Sequence, residues 1–284
     1  MPVAGGVAGV ALFGYAVREA GVAEIVDGVR RVGWGLLFIL ALTGLRFALR
    51  AQCWRLCMPS ETRLPLREAF VVFLAGDAAG NLLPLGLAAS EPTKVLLTRG
   101  RLTTAAAVSS LAVDNLIYLT TVLVVIAAGI AMLGSSERLP FDPQRAVVVT
   151  LALLAAAIAG AAFAARGRVR GAWKVFGIHM TFHALSVLEH YVTLAWLLGD
   201  ATIAQAVIVE ALNRVLTLVF KFVPFRVGVD EAASAELAVI LGMAPAVGVT
   251  SAVVRKVRNL FWTGVGAALI VGRRARAVPA MDRP

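Results

Sequence analysis

Apolar runs at residues 3–17, 32–50, 66–83, 104–133, 145–165, 174–198, 203–223 and 246–272 follow one another with only short connections between them. A helix needs about 20 apolar residues to cross a bilayer, so the pattern predicts about eight long helices. With 60% hydrophobic and 15% charged residues over 284 positions, the chain has too little polar surface to cover a soluble globule. The expected fold class is all-α, a polytopic membrane helical bundle forming a single transmembrane domain over residues 1–284. Residues 2–17 lack the basic start of a signal peptide and read as the first span. Residues 18–31 alternate apolar with charged positions and read as an amphipathic surface segment.

A formal charge of +10 would suit a nucleic acid, but most of the basic residues lie in short stretches between apolar runs. That placement is a topology signal, and no nucleic-acid partner is expected. One side collects Arg46, Arg50, Arg55, Arg63 and Arg67, then Lys94, Arg99 and Arg101, then Arg166, Arg168, Arg170 and Lys174, then Arg273, Arg274 and Arg276. The alternate connections hold fewer: Arg18, Arg30, Arg31, Arg138 and Arg145. The richer side is expected to be cytoplasmic, with both termini on it and anionic lipids gathered at its basic helix ends. Cys53 and Cys57 read as a reduced pair facing the cytoplasm.

Two stretches share a signature. NLLPLGLAASEPTKVLLTRG (81–100) breaks at Pro84 and restarts at Ser90, with Glu91 in the first turn. FKFVPFRVGVDEAASAELAVILGM (220–243) breaks at Pro224, passes a turn containing Gly228, and restarts at Asp230 with Glu231 next. Pro84 and Pro224, Ser90 and Asp230, and Glu91 and Glu231 all lie 140 positions apart. The short helices expected at 90–100 and 230–242 cannot cross a bilayer alone. Entering from opposite faces, they read as two re-entrant broken helices in an inverted-topology repeat, with halves at about 66–133 and 203–272; such repeats build transport pathways at their interface. Ordinary proline kinks are the plainer reading, but kinks need not share a cap residue and a carboxylate.

Ser90 and Asp230 are expected as N-caps, and the two helix starts, with Lys94, Lys221 and Arg226 nearby, as a cradle for a phosphate-like headgroup. Glu91 and Glu231 could equally satisfy the helix dipole themselves. Asp77, Asp114, Glu189, Glu210 and Arg214 lie inside apolar spans. Each would cost about 2.5–3.5 kcal/mol at a helix centre facing lipid, so they must face an interior or one another. The offset suggests that Asp114 and Arg255 pair between the halves, whereas Glu210 and Arg214 sit four apart on one helix face, where an internal ion pair suffices. His179, His183 and His190 form a stripe without HExxH spacing or a thiolate nearby in sequence, so interior hydrogen bonding is expected and no metal. Ser109 and Ser110 near Asp114 lack the surroundings of a nucleophile.

The segments GDAAGNLLPLGLAASEPTKVLLTRG, VSSLAVDNLIYL, LEHYVTLAWLLG, VEALNRVLTLVFKFVPFRVGVDEAA and SAVVRKVRNL give the chain a resemblance to the flippase-like family. This is the membrane domain of lysylphosphatidylglycerol synthases and of related stand-alone bacterial proteins. The resemblance implies a lipid translocase, flippase-like or scramblase-like, in the bacterial cytoplasmic membrane. Its cargo would be an anionic, aminoacylated or isoprenoid-linked lipid. By position the family's polar set falls on Asp77, Asn81, Pro84, Glu91, Asp114, Glu189, Glu210, Arg214, Pro224, Gly228 and Glu231. Departures from the family pattern are Leu87, Ala88 and Ala89 after the first proline and Phe225 and Arg226 after the second, where glycine is common. The synthases' soluble aminoacyl-transferase domain is absent from this sequence, so neither enzymatic activity nor a cofactor is expected. Two rivals stay open: a membrane-embedded enzyme acting on a lipid phosphate or glycolipid, and a non-catalytic subunit of a lipid-biosynthetic complex. A biosynthetic enzyme or a second copy of the chain is a conceivable partner.

Overall fold

Helix ends fall where glycine or proline interrupts the apolar pattern. α1 (Val22–Val32) stops at Gly33, which takes a positive φ of 43°, and Gly171 and Gly199, at φ 100° and 84°, bracket the helix Ala172–Leu198. Two other helices open on Pro143 and Pro245, where a missing N–H costs nothing. The computed structural model describes residues 18, 22–82, 87–134, 143–167, 171–220 and 226–277. Among the described residues the fold is all-α, with ten α-helices and no strand.

After α1 come α2 (Gly35–Cys57), α3 (Leu66–Leu82), α4 (Leu87–Leu97), α5 (Thr104–Gly134), α6 (Pro143–Gly167), α7 (Ala172–Leu198), α8 (Ile203–Val219), α9 (Val229–Ile240) and α10 (Pro245–Ala277). The expected helices from residue 32 onward are thus present. The expectation of about eight crossing helices is reduced: by length and apolarity two described helices qualify, α2 and α5. The pair α7 and α8, bent by 119° at their junction, qualifies as a third if taken as one broken span. The reason is physical. α3 and α8 have 17 residues each, about 26 Å at 1.5 Å per residue, and α7, α8 and α10 carry charges within their apolar stretches. The first span expected at 3–17 lies outside the described residues, as do Pro84, Lys221 and Pro224.

α1 is amphipathic as expected. Its Ile25 packs with Ala235 and Val249, and its Val32 with Ile39, Leu197 and Val254, while Asp27, Arg30 and Arg31 stay exposed. In the rest of the bundle α3 packs on α10, and α5 packs on α8. Both contacts depend on a glycine that lets backbones approach. A Cβ added at Gly266 would stand 2.5 Å from the Leu74 carbonyl oxygen, and one at Gly129 would stand 2.2 Å from the Ala211 Cβ. The short helices differ: α4 lies mainly on α3, the helix before it, and α9 on α10, the helix after it.

The distribution of polarity is the reverse of a soluble protein's. Leu37, Leu45, Val148, Leu151, Ile158 and Leu260 are exposed, whereas Arg46, Asp114, His179, Glu189, Glu210 and Arg258 are buried. An outward apolar face and a charged interior suit a chain whose surroundings are hydrocarbon.

Candidate functional site

Periodicity carries the charges inward. On α7, His179, His183, Ser186, Glu189, His190 and Thr193 are all buried, at the i, i+3 and i+4 spacings of one helix face. On α2, Thr43, Arg46, Arg50 and Trp54 do the same. These two faces meet, and α5, α8 and α10 close around them.

Glu189 is the hub on one side. Its Oε2 accepts from Arg46 Nη1 at 2.6 Å and its Oε1 pairs with Arg258, so one carboxylate from α7 ties α2 to α10. Glu210 is the hub on the other. It takes Arg214 Nε at 2.6 Å, Ser186 Oγ at 2.7 Å, His183 Nδ1 at 3.2 Å and His190 Nε2 at 3.2 Å. An ionised carboxylate only accepts, so those two ring nitrogens carry the protons. Arg214 also donates to the Tyr118 hydroxyl at 2.9 Å. The expected Glu210–Arg214 pair is therefore present, within a larger set.

Asp114 accepts from His179 Nε2 at 3.0 Å and has Arg50 Nη2 at 3.7 Å. The Arg50 guanidinium lies over the Tyr118 ring, 3.9 Å from its centroid. The expected pairing of Asp114 with Arg255 is incorrect. Arg255 donates to Ser251 Oγ at 3.1 Å and Ser234 Oγ at 2.8 Å, on a different wall of the bundle. Matching depth along two helices does not bring their side chains to the same side.

Near α4, Lys94 donates to Glu91 at 2.9 Å and lies over the Phe73 ring at 4.2 Å. Asn81 bridges Asp77 at 3.2 Å and Thr263 at 3.0 Å. Near α9, Glu231 accepts the Gly228 N–H at 2.8 Å and pairs with Lys256, while Arg226 stands 3.3 Å from Asp230 and donates to Thr217. Two cap assignments change. α4 begins at Leu87, so Ser90 lies within the helix, and the N-cap of α9 is Gly228, with Asp230 inside its first turn. A residue with φ 82° suits glycine, and Glu231 does the capping through its side chain. The cradle expected at the two free helix starts is to that extent already filled at α9 by the protein's own carboxylate.

Several participants were not singled out from the sequence: Arg46, Arg50, Tyr118, Ser186, Lys256 and Arg258. Arg46 and Arg50, which the charge pattern assigns to the cytoplasmic helix ends, are interior; their i, i+4 spacing inside an apolar helix is the signal for it. The fold also brings the Cys53 thiol, which donates to the Val175 carbonyl at 3.7 Å, to the histidine stripe. Ligand atoms of Cys53, Asp114 and His179 lie within 4.8 Å of one another. Arg50, 3.4 Å from His179 Nδ1, already places a positive charge there, which opposes a cation. Ser110 Oγ accepts from Trp54 Nε1 at 3.0 Å and donates to the Ala107 carbonyl, a structural use.

The family model described as Lysylphosphatidylglycerol synthase TM region matches residues 3–173. No curated protein and no solved structure matches the chain. The matched part holds α1 to α6, and so Arg46, Arg50, Asp77, Glu91, Lys94 and Asp114; the remaining charged residues of the interior follow it.

Proposed function

Because the chain belongs to the lysylphosphatidylglycerol synthase transmembrane family, a membrane family tied to lipid chemistry, we propose that it is a lipid translocase. Its cargo in this reading is an anionic, aminoacylated or isoprenoid-linked lipid whose headgroup passes through the charged interior while its tail stays in hydrocarbon. The observation that carries the reading is the set of ion pairs and histidine–carboxylate contacts joining α2, α5, α7, α8 and α10 inside an apolar shell. Charges that cost several kcal/mol to hold at membrane depth mark substrate or ion pathways. The reciprocal contacts of α3 with α10 and of α5 with α8 support reading residues 66–133 and 203–272 as an inverted repeat, with α4 and α9 as its re-entrant arms.

On this reading Arg46, Arg214 and Arg258 exchange anions: Glu189 and Glu210 when the path is empty, the headgroup when it is loaded. No soluble catalytic unit or energy-supplying nucleotide site is invoked. The test is movement of a fluorescent anionic phospholipid between leaflets of proteoliposomes. Glu210→Gln keeps the size of the side chain and removes its charge, and should slow the movement by about 10-fold or more. Equal rates in Glu210→Gln and the parent, or no movement above empty vesicles, defeats the proposal. Recovery of a covalently altered lipid would favour an enzyme instead.

A further inference from the structure

Six cationic side chains are buried among the described residues: Arg46, Arg50, Lys94, Arg214, Arg255 and Arg258. Five have a carboxylate within ion-pair distance: Glu189 for Arg46 and Arg258, Asp114 for Arg50, Glu91 for Lys94, and Glu210 for Arg214. Arg255 has none. It is 4% exposed, its two hydrogen bonds go to neutral hydroxyls, and its Nε–H has no acceptor. The carboxylates whose charges act on it are Asp230, which stands in an ion-pair contact with Arg226 while its Oδ1 accepts no hydrogen bond, and Glu189, which is shared by two other arginines.

A guanidinium offers five N–H donors, and removing its charge from water is offset only when an anion replaces the water. Two hydroxyls do not supply that. Ser234 on α9 and Ser251 on α10 each accept from Arg255, and neither hydroxyl donates to another group among the described residues. Their protons, the Arg255 Nε–H and the two spare Nη protons therefore form a set of donors with no acceptor. That set matches a tetrahedral oxyanion, whose several oxygens accept bidentate hydrogen bonds from a planar guanidinium.

We propose that Arg255, Ser234 and Ser251 form a binding site for a phosphate-class oxyanion, the group that a phospholipid headgroup and free phosphate have in common. Assigning that anion to the cargo rests on the translocase reading; the site itself rests on the unpaired cation. Binding breaks no ion pair among the described residues and brings an anion to the one buried cation there that has no carboxylate within ion-pair distance.

The experiment uses the full chain in uncharged detergent micelles, with short-chain phosphatidylglycerol, inorganic phosphate and diacylglycerol as probes in thermal unfolding and equilibrium titration. Phosphatidylglycerol should raise Tm saturably and diacylglycerol should not. Arg255→Gln should weaken that binding about 10- to 100-fold, Arg255→Lys should restore part of it, and the Ser234→Ala, Ser251→Ala double variant should weaken it less than Arg255→Gln does. A shift produced equally by inorganic phosphate identifies free phosphate as the source; a shift confined to phosphatidylglycerol identifies the headgroup. Without any ligand, Arg255→Gln should melt no lower than the parent, because it removes an unpaired charge, whereas Arg46→Gln should melt lower. Unchanged affinity in Arg255→Gln, or a ligand-free melting temperature as low as that of Arg46→Gln, overturns the site. Retained anion binding without lipid movement in proteoliposomes would instead overturn the translocase reading alone.

Discussion

Glu91 of α4 and Glu231 of α9 stand 140 positions apart in matching sequence settings, yet they are used differently. Glu91 is partly exposed, pairs with Lys94 one turn along its own helix, and keeps one oxygen without a hydrogen-bond partner. Glu231 is fully buried, caps its helix through the Gly228 N–H, and pairs with Lys256 of the neighbouring α10. The first carboxylate serves one helix; the second fastens a helix start to the helix that follows. The contrast extends to packing, since α4 leans on its predecessor and α9 on its successor. A repeated signature therefore sets where a charge sits, and the surrounding helices set what it holds.

The contrast can be broken most directly at the carboxylates. Glu231→Ala strands a half-buried lysine and a helix-start N–H, and should cost about 3–5 kcal/mol, read as a large fall in Tm in detergent micelles. Glycines beneath the two short helices give the next effect. A Cβ at Gly248 would lie 2.0 Å from the Ser234 carbonyl oxygen, which is backbone and cannot turn aside. Gly248→Ala should therefore push α9 off α10 at a cost of about 3 kcal/mol in the same unfolding measurement.

Glu91→Ala should cost less, about 1–2 kcal/mol, because Glu91 itself is partly exposed and caps no helix start, and because Lys94, although buried, keeps the Phe73 ring and the charge of Asp77 nearby. Equal losses in Glu91→Ala and Glu231→Ala would abolish the distinction drawn between the helices. The smallest change is expected at Gly76, where a Cβ meets the Lys94 side chain first, at 2.5 Å, and the Ser90 carbonyl oxygen only at 3.1 Å. Gly76→Ala should cost about 1 kcal/mol, and a loss as large as that of Gly248→Ala would show α4 to be as firmly seated as α9.

Much of this arrangement is legible in the sequence. The apolar runs from residue 32 onward match helices, Asp114, Glu189, Glu210 and Arg214 are interior, and the histidine stripe hydrogen-bonds to carboxylates as its spacing suggested. Arg46 and Arg50 fall at the end of the apolar run 32–50 and so look like water-facing charges, but α2 continues to Cys57 and places them well inside the helix, facing protein. Arg258 and Lys256 were visible in SAVVRKVRNL, but nothing local says that one reaches Glu189 on α7 and the other Glu231 on α9. Capping was half legible: a carboxylate near a helix start was expected to satisfy it, and Glu231 does so, but from Gly228 and not from Asp230.

The order of residues along each helix settled which faces are charged and that those faces must turn away from hydrocarbon, because a 3.6-residue period and the cost of exposing charge to lipid are local properties. Only the packed bundle decided the partners: Glu189 between α2 and α10, Asp114 with His179, and Arg255 left with two hydroxyls. Counter-ion choice depends on distances of a few ångströms between helices far apart in the chain, and helical periodicity holds no record of those distances.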